Sequence, residues 1–247
     1  YDPATARIEL ADLSVESASL RLKAKGQADL LAPDGGALPT GALPDSILAQ
    51  IAFQQVMVDP EGLFEEPIRF GQGALDLRLR LKPFRVDIGQ LALTEGDERL
   101  LLSGRIGAED AGWGGALDVR LNRIDTERLL KVWPVAAVPR TRTWFADNVG
   151  QGELSDVQAA LRLEPGGQPL FNLAYEFADT EVRFVRTLPP ILNGRGHATL
   201  DNKTYTVALD QGHVIAPEGG RIEADGTVFQ ILDITQRPAT AKVDLVT

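Results

Sequence analysis

Leu75-Asp76-Leu77-Arg78-Leu79-Arg80-Leu81-Lys82 decides the fold class. Leu75, Leu77, Leu79 and Leu81 alternate with charged residues, so the segment separates an apolar from a charged face only as an extended strand with period two. The same alternation appears at Leu20, Leu22 and Ala24; at Val86 and Ile88; at Leu100 and Leu102; and at Leu117, Val119 and Leu121. It returns at Val157, Ala159, Leu161 and Leu163, at Leu173, Tyr175 and Phe177, and at Tyr205, Val207 and Leu209. Turn-forming clusters separate these runs: Pro33-Asp34-Gly35-Gly36, Glu95-Gly96-Asp97, Gly114-Gly115, Pro165-Gly166-Gly167, Asp201-Asn202 and Pro217-Glu218-Gly219-Gly220. Strands this closely spaced predict a mainly β chain, an antiparallel meander with one wet face and one face that needs a cover.

Parts of the chain echo each other. Glu9-Leu10-Ala11-Asp12-Leu13 parallels Glu153-Leu154-Ser155-Asp156-Val157, and Ala18-Ser19-Leu20-Arg21-Leu22 parallels Ala159-Ala160-Leu161-Arg162-Leu163. Pro67-Ile68 with Gly71-Gln72-Gly73 parallels Pro190-Ile191 with Gly194-Arg195-Gly196, and Gly104-Arg105-Ile106 parallels Gly226-Thr227-Val228. Similarity in fixed order predicts a repeat architecture, whose units bury their apolar faces by stacking on one another. The expected organisation is a first β repeat over 1–124 with a loop insertion at 33–50, a helical connector over 125–151 and a second β repeat over 152–247. In the connector Asp125 caps a helix carrying Leu129, Leu130 and Trp133, which Pro134 stops. A second helix starts near Pro139 or Thr141, carries Trp144 and Phe145 and ends at Gly150. Residues 46–53 read as either a short helix or a strand.

Composition narrows the function. The 247 residues carry a net charge of −10, with no basic stripe to displace counterions from a phosphate backbone, which argues against nucleic acid as a partner. The absence of cysteine removes disulfides, thiolate metal sites and cysteine nucleophiles together. No stretch approaches the ~20 apolar residues of a membrane span. The chain opens inside what reads as a repeat and closes on the strand-like Val243-Asp244-Leu245, so it is expected to be part of a longer protein with any anchor outside it.

The search for chemistry is negative. The sequence has no nucleophile elbow, no zinc-protease helix, no phosphate-cradling loop and no dinucleotide fingerprint. The glycines of Gly71-Gln72-Gly73 and Gly194-Arg195-Gly196 read as strand entries or bulges. His197 and His213 lie on expected strands without an identifiable metal or catalytic partner, and are expected to face solvent or a sheet edge. Glu61, Glu65 and Glu66 are not held as the fixed pair that glycosidase chemistry requires. Trp133 and Trp144 read as core residues on helices that cover a sheet. The chain is therefore expected to be no enzyme and to need no cofactor or metal. The apolar strand faces fit either a closed sandwich or an open trough for apolar ligand; alternation is the same in both.

Leu130-Lys131-Val132-Trp133-Pro134, then Arg142-Thr143-Trp144-Phe145, Asn148 and Gly152-Glu153-Leu154, resembles the W-P … W … G segment of the AsmA-like superfamily, YhdP-type branch. The run Val182-Arg183-Phe184-Val185-Arg186-Thr187-Leu188-Pro189-Pro190-Ile191, followed by Gly194-Arg195-Gly196, looks like that family's strand leading into L-P-P and a glycine-opened strand. The resemblance covers about residues 125–230 well and the first copy more loosely. It implies a curved, repeating β-groove with a short helical pair between two β repeats, in the periplasmic part of an inner-membrane-anchored protein of the Gram-negative envelope. Such bridge-like proteins are thought to conduct phospholipid between inner and outer membranes, in outer-membrane biogenesis. The resemblance makes Trp133, Pro134, Trp144, Gly152, Leu188, Pro189 and Pro190 scaffold residues and gives no catalytic residue. About fifteen strands at ~4.8 Å each would make a trough of roughly 70 Å. Its expected lining is Leu75, Leu77, Leu79, Leu81, Leu117, Val119, Leu161, Leu163, Leu173, Tyr175, Val207 and Leu209, holding phospholipid acyl chains. The alternative is a structural or protein-binding β repeat with a closed core; a carbohydrate-active enzyme ranks below both.

Overall fold

The structure, a computed structural model, describes residues 1–136, 138–184, 187–236, 238 and 240–244. Its strands are β1 (Arg7–Glu16), β2 (Leu20–Leu31), β3 (Ser46–Val58), β4 (Ile68–Arg80), β5 (Arg85–Glu95), β6 (Glu98–Glu109) and β7 (Gly112–Asp125). Helices α1 (Thr126–Val132) and α2 (Pro139–Asn148) follow. The chain then returns to strands in β8 (Glu153–Leu163), β9 (Leu170–Val182), β10 (Ile191–Asp201), β11 (Thr204–Ile215), β12 (Arg221–Glu223), β13 (Val228–Ile231) and β14 (Ala241–Asp244). They form one 14-stranded antiparallel meander in chain order, with β12 paired to β11 beside the main path and, among the described residues, no ladder closing β1 onto β14. The mainly β fold matches the expectation from alternation, and the short helical pair between strands matches the expectation from the Asp125 cap and the prolines that follow it.

Several local expectations are corrected. Residues 46–50, placed in a loop insertion, open β3, because Ile47, Ala49, Ile51 and Phe53 alternate onto one face between β2 and β4. Gly114-Gly115 is no turn but lies inside β7, where a Cβ on Gly115 would stand 2.8 Å from the Arg105 carbonyl oxygen. The first stretch of internal similarity does not match in three dimensions. Residues 9–13 and 18–22 belong to two strands joined by a turn, whereas 153–157 and 159–163 share the single strand β8. Ile68 and Ile191 do both open strands, β4 and β10. Of the strand-like Val243-Asp244-Leu245, the first two residues lie in β14 and Leu245 falls outside the described residues, as do Val185 and Arg186 of the second family-like run.

The chain forms two compact units: Tyr1–Glu61 with Glu66–Arg120 and Ala160–Leu170, and Gly62–Glu65 with Leu121–Ala159 and Phe171–Thr247. This division runs through β7 and β8 and falls after the first residue of β9. The second unit has a core of Ile124, Leu154, Phe177, Ala198, Val207 and Leu209, against which α1 packs Leu129 and Val132. The Asp125 side chain accepts the Arg128 N–H at 2.7 Å and so caps α1, and Lys131 pairs with Glu127 one turn away. Asp125→Ala is expected to lower the thermal stability of this unit by about 1 kcal/mol, read as a shift of its melting midpoint. Pro139 opens α2 after Val138, which adopts the left-handed conformation. Arg142 ties the helices together, donating to the Leu130 carbonyl at 2.9 Å and pairing with Glu65 at 2.9 Å. The Arg142 hydrogen bond to Glu65 itself and the guanidinium charge hold the Glu65 carboxyl below the usual carboxylate range.

Candidate functional site: a register-aligned apolar face

The register of the first unit brings its alternating strands into rows. Residues directly opposite each other on neighbouring strands point to the same side of a sheet. Leu13, Ala24, Phe53, Gly73, Leu93 and Leu100 form one row across β1 to β6. Leu10, Gly26, Ile51, Leu75, Leu91 and Leu102 form the next, followed by Ile8, Ala28, Ala49, Leu77, Ile88 and Gly104. A fourth row runs through Leu30, Ile47, Leu79, Val86 and Ile106. Every position in the four rows is apolar or glycine. The opposite face carries polar rows such as Gln27, Gln50, Asp76 and Gln90, so the sheet is amphipathic in two dimensions.

β-bulges keep these rows aligned. Shifts at Leu10/Leu13 in β1, Asp76/Leu77 between β4 and β5, and Ile88/Leu91 between β5 and β6 each restore the apolar set to the common face. A missed bulge would turn the rest of a strand inside out. The glycines fit the same account: a Cβ on Gly73 would stand 2.6 Å from Leu93 Cδ2. Gly194, which opens the matching G-x-G element, would meet the Thr180 hydroxyl at 2.6 Å. Both G-x-G elements therefore sit at close strand approaches.

Within the first unit the described residues contain no helix, and all of its strands belong to the one sheet. Only small or peripheral apolar side chains are buried there, among them Ala24, Ala28, Ala49, Val56 and Ile68, whereas Leu75, Leu77 and Leu79 are half-buried. Among the described residues no large side chain anywhere in the chain is fully buried.

The twelve expected lining residues divide between the units. Leu75, Leu77 and Leu79 lie at the centre of the aligned rows, while Leu81 falls past the end of β4 and is 47% exposed. Leu117 and Val119 on β7, and Leu161 and Leu163 on β8, are half-buried in the first unit. In the second unit, Val207 and Leu209 are buried in the cluster that α1 packs against, with Tyr175 beside it and Leu173 one row further along β9.

The expected scaffold residues all lie in the second unit. Trp133 ends α1 and its ring meets Phe145 of α2 at 6.0 Å, whereas Trp144 is 39% exposed and contacts Phe184 at 6.0 Å. Trp133 thus joins the helices, but Trp144 is at the surface rather than in a core. Gly152 has φ +155° and leads into β8, where a Cβ would meet the Thr180 methyl at 2.5 Å. Pro134 follows α1, and Pro189 and Pro190 precede β10 with Leu188 exposed.

One pair escaped the sequence reading. Tyr175 on β9 and Tyr205 on β11 reach across Ala198 of β10, and their hydroxyls meet at 2.7 Å. Ala198, only 1% exposed, is the small residue that makes room. Burial pushes the Tyr175 phenol well above the usual tyrosine range, helped by the charge and hydrogen bond of Tyr205; burial also raises Tyr205, with its hydrogen bond opposing. Both shifts favour the neutral form in the fold. Stability from this source is therefore full below the unfolded tyrosine value of about 10 and is lost as the pH rises from there through the higher folded values. Y175F/Y205F is expected to be less sensitive than the parent to unfolding between about pH 10 and 12, read by circular dichroism across an alkaline series.

His197 is exposed, 3.9 Å from Asp210, as expected, but His213 is 7% exposed; it is enclosed because β12 pairs onto β11 there and sets Glu223 opposite it. Among the described residues no cluster of histidine and carboxylate side chains could hold a metal, and no helix is long and apolar enough to cross a membrane. No protein-family model, curated protein or solved structure matches this chain significantly.

Proposed function

We propose that this chain is a non-enzymatic segment of a bridge-like lipid transfer protein, and that the apolar face of the first unit carries phospholipid acyl chains. The observation that supports it is the set of four apolar rows without a second layer inside their own unit. Hydrocarbon laid on that face gains about 0.8 kcal/mol per buried methylene. Successive rows are chemically alike, so a chain moving from one to the next keeps most of its burial and needs no reaction to advance. The resemblance to the AsmA-like superfamily supplies the setting: the periplasmic part of an inner-membrane-anchored protein, passing phospholipid between inner and outer membranes of a Gram-negative envelope, with no nucleic-acid partner.

The test is native mass spectrometry of the purified chain with lipid extraction of the same sample, beside Leu77→Asp. Bound phospholipid in the parent, lost in a variant that still melts cooperatively, is the expected result. A parent that neither carries nor takes up phospholipid would sink the proposal. The second reading, a structural or protein-binding β repeat with a closed core, draws on the buried cluster of the second unit, where α1 does cover the sheet. It predicts a lipid-free parent and a Leu77→Asp variant that fails to fold.

A further inference from the structure

The Tyr175–Tyr205 pair is an unusual occupant of an apolar sheet face. Its surroundings are hydrocarbon: one row places Tyr175, Ala198, Val207 and Phe229 side by side, and the next places Leu200 beside Tyr205. The two hydroxyls use one proton between them, so the second O–H has no acceptor in the contact, and the described residues give neither hydroxyl another protein partner. Both tyrosines are half-buried and pack against the core cluster of this unit, so the spare O–H sits beside apolar side chains, and a ligand that brings an uncharged acceptor to it gains a hydrogen bond there. Both phenols stay neutral across physiological pH, so the spare group is a donor and not a charge.

We propose that the Tyr175–Tyr205 hydroxyl pair is a recognition point for the ester carbonyl of a diacyl glycerolipid, whose hydrocarbon lies along Leu173, Leu200 and Ile231. The apolar row selects the acyl chain, and the free O–H selects an uncharged oxygen acceptor joined to it. A carboxylate fits less well, because it would lose its hydration on an apolar face for one neutral donor. This inference rests on the lipid-binding reading above, extends it from the first unit to the sheet of the second, and adds a preferred chemical class.

The experiment compares dioleoyl phosphatidylcholine with its dialkyl ether analogue, each in detergent micelles, binding to the full chain and to Y175F/Y205F. Both hydroxyls are removed because either can be the one with the spare proton. The parent is expected to bind the ester about 3- to 10-fold more tightly than the ether, the worth of one hydrogen bond. The variant, which keeps both rings, is expected to bind the two lipids equally and the ether as well as the parent does. A parent that binds ester and ether alike, or a variant that keeps the preference, overturns the tyrosine assignment and leaves lipid binding standing. A parent that binds neither lipid overturns both. Oleate as a third ligand tests the source of the carbonyl: tighter binding of the fatty acid than of the ester would also overturn the assignment.

Discussion

Gly196→Ala is expected to destabilise the chain by about 3 kcal/mol, read as a fall in the denaturation midpoint of the second unit with an unchanged slope. Gly196 lies on β10 between Phe177 of β9 and Leu209 of β11. A Cβ there would run into the Ala208 carbonyl oxygen and stand 2.9 Å from the Phe177 ring. Neither neighbour can give way cheaply. Ala208 is paired on one side with His197 and on the other with Val228, so its backbone is fixed by two ladders. Phe177 is 8% exposed and packed among Leu154, Ala198 and Leu209. A close-packed interior converts such an overlap into strain rather than relaxation. Gly71 is the control, because it opens the matching G-x-G element on β4 but has Glu95 Oε2 as its nearest neighbour at 3.5 Å. Gly71→Ala is expected to change stability by no more than about 0.5 kcal/mol. Equal effects at the two positions would mean that β10 and β11 are further apart than their register requires.

The same pair of motifs shows what could be read from sequence. Alternation at Leu75, Leu77 and Leu79 predicted β4 and its apolar face, because period two has no other regular explanation. The helical pair was equally legible, since Asp125, Pro134 and Pro139 are strong local punctuation. Gly114-Gly115 misled because glycine pairs most often mark turns, whereas here Gly115 admits β6 at close range; the deciding atom, the Arg105 carbonyl oxygen, is ten residues away. Residues 46–53 are ambiguous alone and become a strand only because β2 and β4 flank them on both sides. The continuity of the apolar rows was out of reach for a related reason. It depends on where each strand bulges, and a bulge is set by cross-strand fit rather than by the local sequence. The tyrosine pair needed still more, since Tyr175 and Tyr205 are 30 residues apart and meet only because β10 presents Ala198 between them.

Leu209→Ala and Leu77→Ala are expected to differ sharply although the substitution is the same. Leu209 is 7% exposed inside the cluster that α1 packs against, so truncation there loses both the transfer free energy of the removed carbons and the contacts around the void. The expected loss is about 4 kcal/mol. Leu77 sits between Ala49 and Ile88 on the aligned face of the first unit, half-buried, with no helix or second sheet of that unit above it among the described residues. Space vacated at a surface that water can reach is filled by water, so the cavity contribution drops out and about 1–2 kcal/mol of transfer free energy is left. Hydrogen exchange on amides of β4 and β11 separates the two effects, because it reports each strand's opening free energy in one sample. A Leu77 loss as large as that at Leu209 would make the face a sealed core and put the structural reading ahead. A small loss at Leu77 that grows toward the Leu209 value when dioleoyl phosphatidylcholine is bound is the outcome that the conducting reading requires, because only then is the leucine packed on all sides, and by the ligand itself.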